Sequence, residues 1–143
     1  MPLESGRDVK PVCFGLGSLA LASLALATAV IPAHARSSTD QMMMLDPAAR
    51  MEQRCNARGM GLVGREHKGF HPDELVAYAY ANTVIHDAGI KAPGAAVRSG
   101  NTWYHLSYDC ETANEGLDIK SFSYKLGAAI PNSEWEGHYL VGQ

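Results

Sequence analysis

Thr102-Trp103-Tyr104-His105-Leu106-Ser107-Tyr108-Asp109-Cys110 is the stretch that decides how this chain folds. Successive strand residues point to opposite faces. Tyr104, Leu106, Tyr108 and Cys110 therefore share one face, and Trp103, His105, Ser107 and Asp109 share the other. One face is apolar and the other mixed, as in a strand buried on one side. Ser99-Gly100-Asn101 before it and the polar stretch 111–116 after it are turn signals.

Working outward, the same period of two recurs on both sides. In 75–81, Val76, Tyr78 and Tyr80 alternate with Ala77, Ala79 and Ala81; Gly89 and Pro93-Gly94 bound a loop, and 95–98 reads as a second, short strand. Residues 117–126 read as a fourth, with Phe122, Tyr124 and Leu126 facing inward, and Pro131-Asn132-Ser133-Glu134 starts a short terminal helix carrying Trp135. Short turns between neighbouring strands predict a four-stranded, mostly antiparallel meander.

Upstream the period changes. Asp46 is a good N-cap and Pro47 suits the first helical position. Ala48, Met51, Cys55, Gly59 and Leu62 then recur on one helical face. The spacing predicts a helix over about 47–66, weakened in its second half by Gly59, Gly61 and Gly64. Gly69 and Pro72 lie beyond it, where Gly and Pro stop a helix.

The first 35 residues read as a secretory leader. Arg7 and Lys10 precede an apolar run over 12–31, followed by Pro32-Ala33-His34-Ala35 with small residues at the two cleavage positions. Cleavage after Ala35 would leave 36–45 as a flexible lead-in and 46–143 as one domain, in the periplasm or secreted. The run is long for a cleaved signal, which typically has ~7–15 apolar residues. The alternative is an inner-membrane anchor through 12–31. Nothing after Arg36 is apolar for long enough to span a bilayer. The leader removes two acids and two bases, so the net charge stays at −3. A mildly acidic domain has no general attraction for nucleic acid.

Of three cysteines, Cys13 falls in the leader, leaving Cys55 and Cys110. Outside the cytoplasm these have one intramolecular pairing, closing a loop of roughly 55 residues worth about 4 kcal/mol. Cys55 lies on the apolar face of the helix and Cys110 on the apolar face of the strand. Their bridge requires the helix to pack on the sheet. The predicted fold is therefore α+β: one N-terminal helix on a four-stranded meander, a short C-terminal helix and one disulfide.

Leu45-Asp46-Pro47-Ala48-Ala49-Arg50-Met51-Glu52-Gln53-Arg54-Cys55, Gly94-Ala95-Ala96-Val97-Arg98, Trp103 through Glu111, Phe122-Ser123-Tyr124-Lys125-Leu126-Gly127 and Glu134-Trp135-Glu136 together resemble one small family. It is an exported alphaproteobacterial family catalogued as domain of unknown function 930. The resemblance implies an envelope location and two paired cysteines, and it lends no activity. The glycines at 59, 61 and 64 depart from it, standing where better helix formers are expected.

Candidate sites are few. Trp103 and His105 share the sheet face opposite the helix. That face is either an exposed contact surface or covered by the C-terminal segment with Trp135 and Tyr139. Arg50, Arg54 and Arg58 form a helical ridge, with Arg65 on the same side; like charges at that spacing repel. The ridge either meets the domain's own acids, an acidic partner or anionic lipid, or lays its stems along the flank of the apolar face with the heads in water. The 109–118 turn, with four acids, is an internal counterpart. His67, His71 and Asp73 have near-helical spacing for a metal, but Gly69 and Pro72 make that segment a loop. His86-Asp87 and His138 stand isolated. Met42-Met43-Met44 suits copper(I) chemically, yet no His or Cys is close in sequence, so it reads as a hydrophobic lead-in.

No nucleophile–base–orienter set is legible, and both remaining cysteines belong to the bridge. The expectation is a non-enzymatic envelope protein without cofactor or metal, a binding or accessory module contacting another periplasmic protein or an envelope component. The alternatives are an inhibitor acting on an enzyme through a loop or sheet edge, and a small hydrolase.

Overall fold

Asp46 caps the long helix as expected, its carboxylate accepting from the N–H groups of Ala48 and Ala49 at 3.1 and 3.0 Å. Residues 37–143 are described by the structure, a computed structural model; the expected leader and the anchor alternative lie outside the described residues. The elements are α1 (Ser38–Met43), α2 (Pro47–Glu66), β1 (Pro72–Val76), β2 (Val84–His86), β3 (Gly89–Ser99), β4 (Thr102–Ala113), β5 (Asp118–Ala129) and α3 (Asn132–Trp135), then a 3-10 turn, Glu136–His138. No helix among them is long and apolar enough to cross a membrane.

The sheet has five strands rather than four. Its order is β1-β3-β4-β5, all antiparallel, with the short β2 also paired to β3. β2 escapes the sequence pattern because Val84, Ile85 and His86 are all exposed, so no face is marked by apolar residues. β3 runs longer than expected because Pro93-Gly94 is a bulge inside the strand, between Ala92 and Ala95, rather than a loop. β1 ends at Val76, short of Ala81. The chain beyond it crosses that bulge, where a side chain on Gly94 would strike the backbone of Ala81 and Tyr80. One bond remains there, from Tyr80 N–H to Gly94 O at 2.8 Å.

α2 lies across the face carrying Tyr104, Leu106, Tyr108 and Cys110. The core between them holds Cys55, Val63, Ile90, Val97, Leu106 and Cys110. Cys55 and Cys110 are bonded, their Cα atoms 6.0 Å apart. The glycines that weaken the helix intrinsically are where it approaches its neighbours. A Cβ on Gly59 would stand 3.1 Å from Phe122 and 3.3 Å from Leu75; one on Gly64 would stand 3.1 Å from Pro72. Gly59→Leu is expected to cost about 1–3 kcal/mol by overpacking, although leucine is the better helix former. Urea unfolding of the two proteins measures it.

The expected flexible lead-in contains α1, begun by a capping box between Ser37 and Asp40. Arg50 ties the end of α1 and the link to α2 in place. Its guanidinium donates to the carbonyls of Met42, Leu45 and Glu115 at 3.0, 2.9 and 2.7 Å, and to Met43 at 3.5 Å. The arginine ridge meets the β4–β5 turn through its backbone and not through the turn's four acids: Arg54 donates to the Leu117 carbonyl at 2.7 Å.

A second, smaller core fills part of the other sheet face. Trp103, fully buried, packs with Ala79, Ala96, Ile130 and Leu140 under the C-terminal segment. Its indole donates to Val141 O at 2.9 Å. Arg98 donates to the same carbonyl at 3.0 Å and lies 5.5 Å over the indole. It also pairs with Asp73 at 2.9 Å and Glu74 at 2.8 Å.

Candidate functional site

The C-terminal segment covers only one end of that outer face. Beyond it the sheet register sets out rows of side chains: Lys91, Asp109 and Ser123 in one, then Ser107 beside Lys125, then Ala96 beside His105. Ser107 and Ser123 are short, while the Pro93 bulge and Lys125 rise on either side. The result is an open trough made of two shallow depressions of about 370 and 380 Å³ that share Pro93, Ser107 and Lys125.

One end of the trough is charged. Lys91 Nζ is 3.0 Å from Asp109, and His86 approaches the same carboxylate at 4.0 Å. Lys125 forms no ion pair among the described residues. The other end is aromatic: Tyr80 is stacked on His138 at 3.8 Å and lies 4.6 Å from His105. His105 leaves no room for a side chain at position 127, whose Cβ would fall 2.8 Å from the His105 Cβ. Gly127 thus lets β5 press against the histidine. The Ala79 carbonyl only accepts, so His138 donates to it from Nδ1, at 2.8 Å. Tyr80 donates to Glu134 at 2.9 Å. Burial first, and then that carboxylate, push the Tyr80 phenol up to about 12.

The expected site residues are thereby separated. His105 lines the trough, whereas Trp103 offers no surface at all: of the two alternatives for that face, the C-terminal segment covers the indole. Arg50, 6% exposed, is consumed by carbonyls and is not available to a partner. Arg54 is tied to the turn and Arg58 is exposed beside Asp118 and Ile119. Met42 and Met43 offer carbonyls to Arg50 while Met43 and Met44 expose their side chains. His67 accompanies a different arrangement, in which Tyr124 donates to Glu66 at 2.6 Å and stands 3.1 Å from His67 Nε2. Burial, then Glu66, push the Tyr124 phenol up to about 12. Asp73 belongs to Arg98. No group of three or more His, Cys, Asp or Glu able to hold a metal occurs among the described residues. The sequence missed Ser107, Ser123, Lys125 and Tyr80 as neighbours. Alternation marks their faces, but only the bulge and the register bring them together.

The covering segment carries a pH dependence. A hydrogen bond from Arg98, with its charge and a bond from Gln143 adding to it, holds the Asp73 carboxyl below its ordinary value against a smaller effect of burial. The folded value is depressed, so the contribution is present above about pH 4, the ordinary aspartate value. It is lost as pH falls through the folded value. Limited acid proteolysis of the C-terminal segment is expected to accelerate below about pH 4, the ordinary aspartate value, and that step should vanish in Asp73→Asn.

A family model described as Domain of Unknown Function (DUF930) matches residues 42–140. No curated protein and no solved structure matches the chain.

Proposed function

The chain belongs to the DUF930 family, whose description names no activity, and from that premise we propose that it is an exported, non-enzymatic binding module. In this reading it works in the periplasm or outside the cell of an alphaproteobacterium and contacts another envelope protein or envelope component. The trough over Ser107 carries the reading: it is an uncovered, mostly apolar and partly aromatic surface edged by Lys91, Asp109 and Lys125, on a sheet braced by α2 and a disulfide. Function sits readily on such a rigid, concave surface. Export is supported by the apolar run over 12–31, the small residues before Arg36 and the buried cystine.

The test is photocrosslinking in the producing cell. A photoreactive residue replacing Ser107 is expected to yield a discrete adduct. The same residue replacing the exposed Gln53 on α2 is expected to yield none. Equal adducts from both positions, or none from either, would overturn the trough as the binding surface.

A further inference from the structure

Tyr139 comes directly after the 3-10 turn with φ 61° and ψ 19°. This left-handed conformation is one that glycine adopts freely and that a residue with a Cβ avoids. The side chain is not placed there to fill a core, because Tyr139 is 70% exposed. Its ring meets that of Tyr78, 48% exposed, edge to face at 5.8 Å, and Val141 beside it is 56% exposed. The pair is held rigidly from beneath. Ala77 and Ala79 are buried on either side of Tyr78, Leu140 is buried after Tyr139, and Leu140 N–H donates to Trp135 O at 3.0 Å. Pre-ordered tyrosines bring contact area at low entropic cost.

Acids outnumber bases on the segments that carry the rings. Residues 72–80 and 130–143 contain Asp73, Glu74, Glu134 and Glu136, and against them stands Arg98, which donates to the Val141 carbonyl. Arg98 balances Asp73 and Glu74; Glu136 has no ion pair among the described residues. Exposed aromatic faces attract cations through their quadrupole. We propose that Tyr78 and Tyr139 are a docking surface for a lysine- or arginine-bearing segment of a partner protein. None of Tyr78, Tyr139 or Val141 lines the trough, so this surface stands or falls separately from it.

The left-handed backbone supplies a clean variant. Tyr139→Gly removes the ring where glycine is conformationally favoured, so thermal unfolding should show no loss of stability. The probe is a fluorescent ten-residue peptide of alternating arginine and glycine, with its glutamate counterpart as control, read by anisotropy. The wild type is expected to bind the arginine peptide saturably and not the glutamate peptide. Tyr139→Gly and Tyr78→Ser should each weaken binding at least tenfold, while Lys125→Glu in the trough should not weaken it. Equal binding by wild type and Tyr139→Gly would overturn the proposal, as would absence of binding. A wild-type dimer in sedimentation that Tyr139→Gly dissolves would also overturn it, assigning the surface to a second copy.

Discussion

Replacing Trp103 with alanine is expected to destabilise the protein by about 3–5 kcal/mol, the range for removing a large buried aromatic. Trp103 heads the fully buried side chains, and the second core is built around it. Two further losses accompany the cavity. Val141 O loses the indole donor at 2.9 Å, and Arg98 loses the ring beneath it. The C-terminal segment depends on that indole, since Ile130 and Leu140 are its own anchors in the same cluster. Urea denaturation should show a lower midpoint. Below that midpoint, protease should cut within 131–143 sooner than in the wild type. Trp135→Ala gives the contrast. Trp135 is only partly buried and its indole bonds locally to Ile130 O at 3.1 Å, so its loss should cost distinctly less. Equal costs would mean that the segment, rather than Trp103, organises this core.

Removing the bridge as Cys55→Ala with Cys110→Ala is expected to cost about 4 kcal/mol in the chain-entropy account. The separation of 55 residues sets that value. Both sulfurs are fully buried between α2 and β4, so the alanines also leave a small void. A loss of that size is a large share of the roughly 5–15 kcal/mol that a native domain nets. The double variant should therefore be largely unfolded near 37 °C, and the wild type should behave likewise once reduced in mild denaturant. Circular dichroism against temperature measures the first. Mass measurement after thiol alkylation checks the premise: the folded wild type should take up no label at either cysteine.

These costs fall on features that are legible in the sequence with unequal ease. The bounds of α2 come from Asp46, Pro47 and the stop at Gly69 and Pro72, because caps and breakers act locally. The alternation of β4 marks its faces for the same reason. The bridge joins the two because, with Cys13 set aside in the expected leader, one pairing is left. The features that escape depend on distant partners. α1 is too short to show a period, and it is held by Arg50, eight residues from Met42 and sixty-five from Glu115. The Pro93-Gly94 pair looks like a loop locally and becomes a bulge only because β4 pairs on both sides of it. The trough inherits that ambiguity. Trp103 stands between exposure and cover in the sequence because alternation assigns a face without saying what lies on it.

The way Arg50 is held has a consequence for which positions can change. All its acceptors are main-chain carbonyls, from Met42, Met43, Leu45 and Glu115. Every amino acid carries such an oxygen, so these four positions can exchange side chains without withdrawing an acceptor. Only a guanidinium offers five donors in a fixed fork, and lysine in its place would leave acceptors unanswered. The join between the lead-in, the long helix and the β4–β5 turn is therefore tolerant at its several acceptor positions and intolerant at a single donor. Its mutational load rests on one codon.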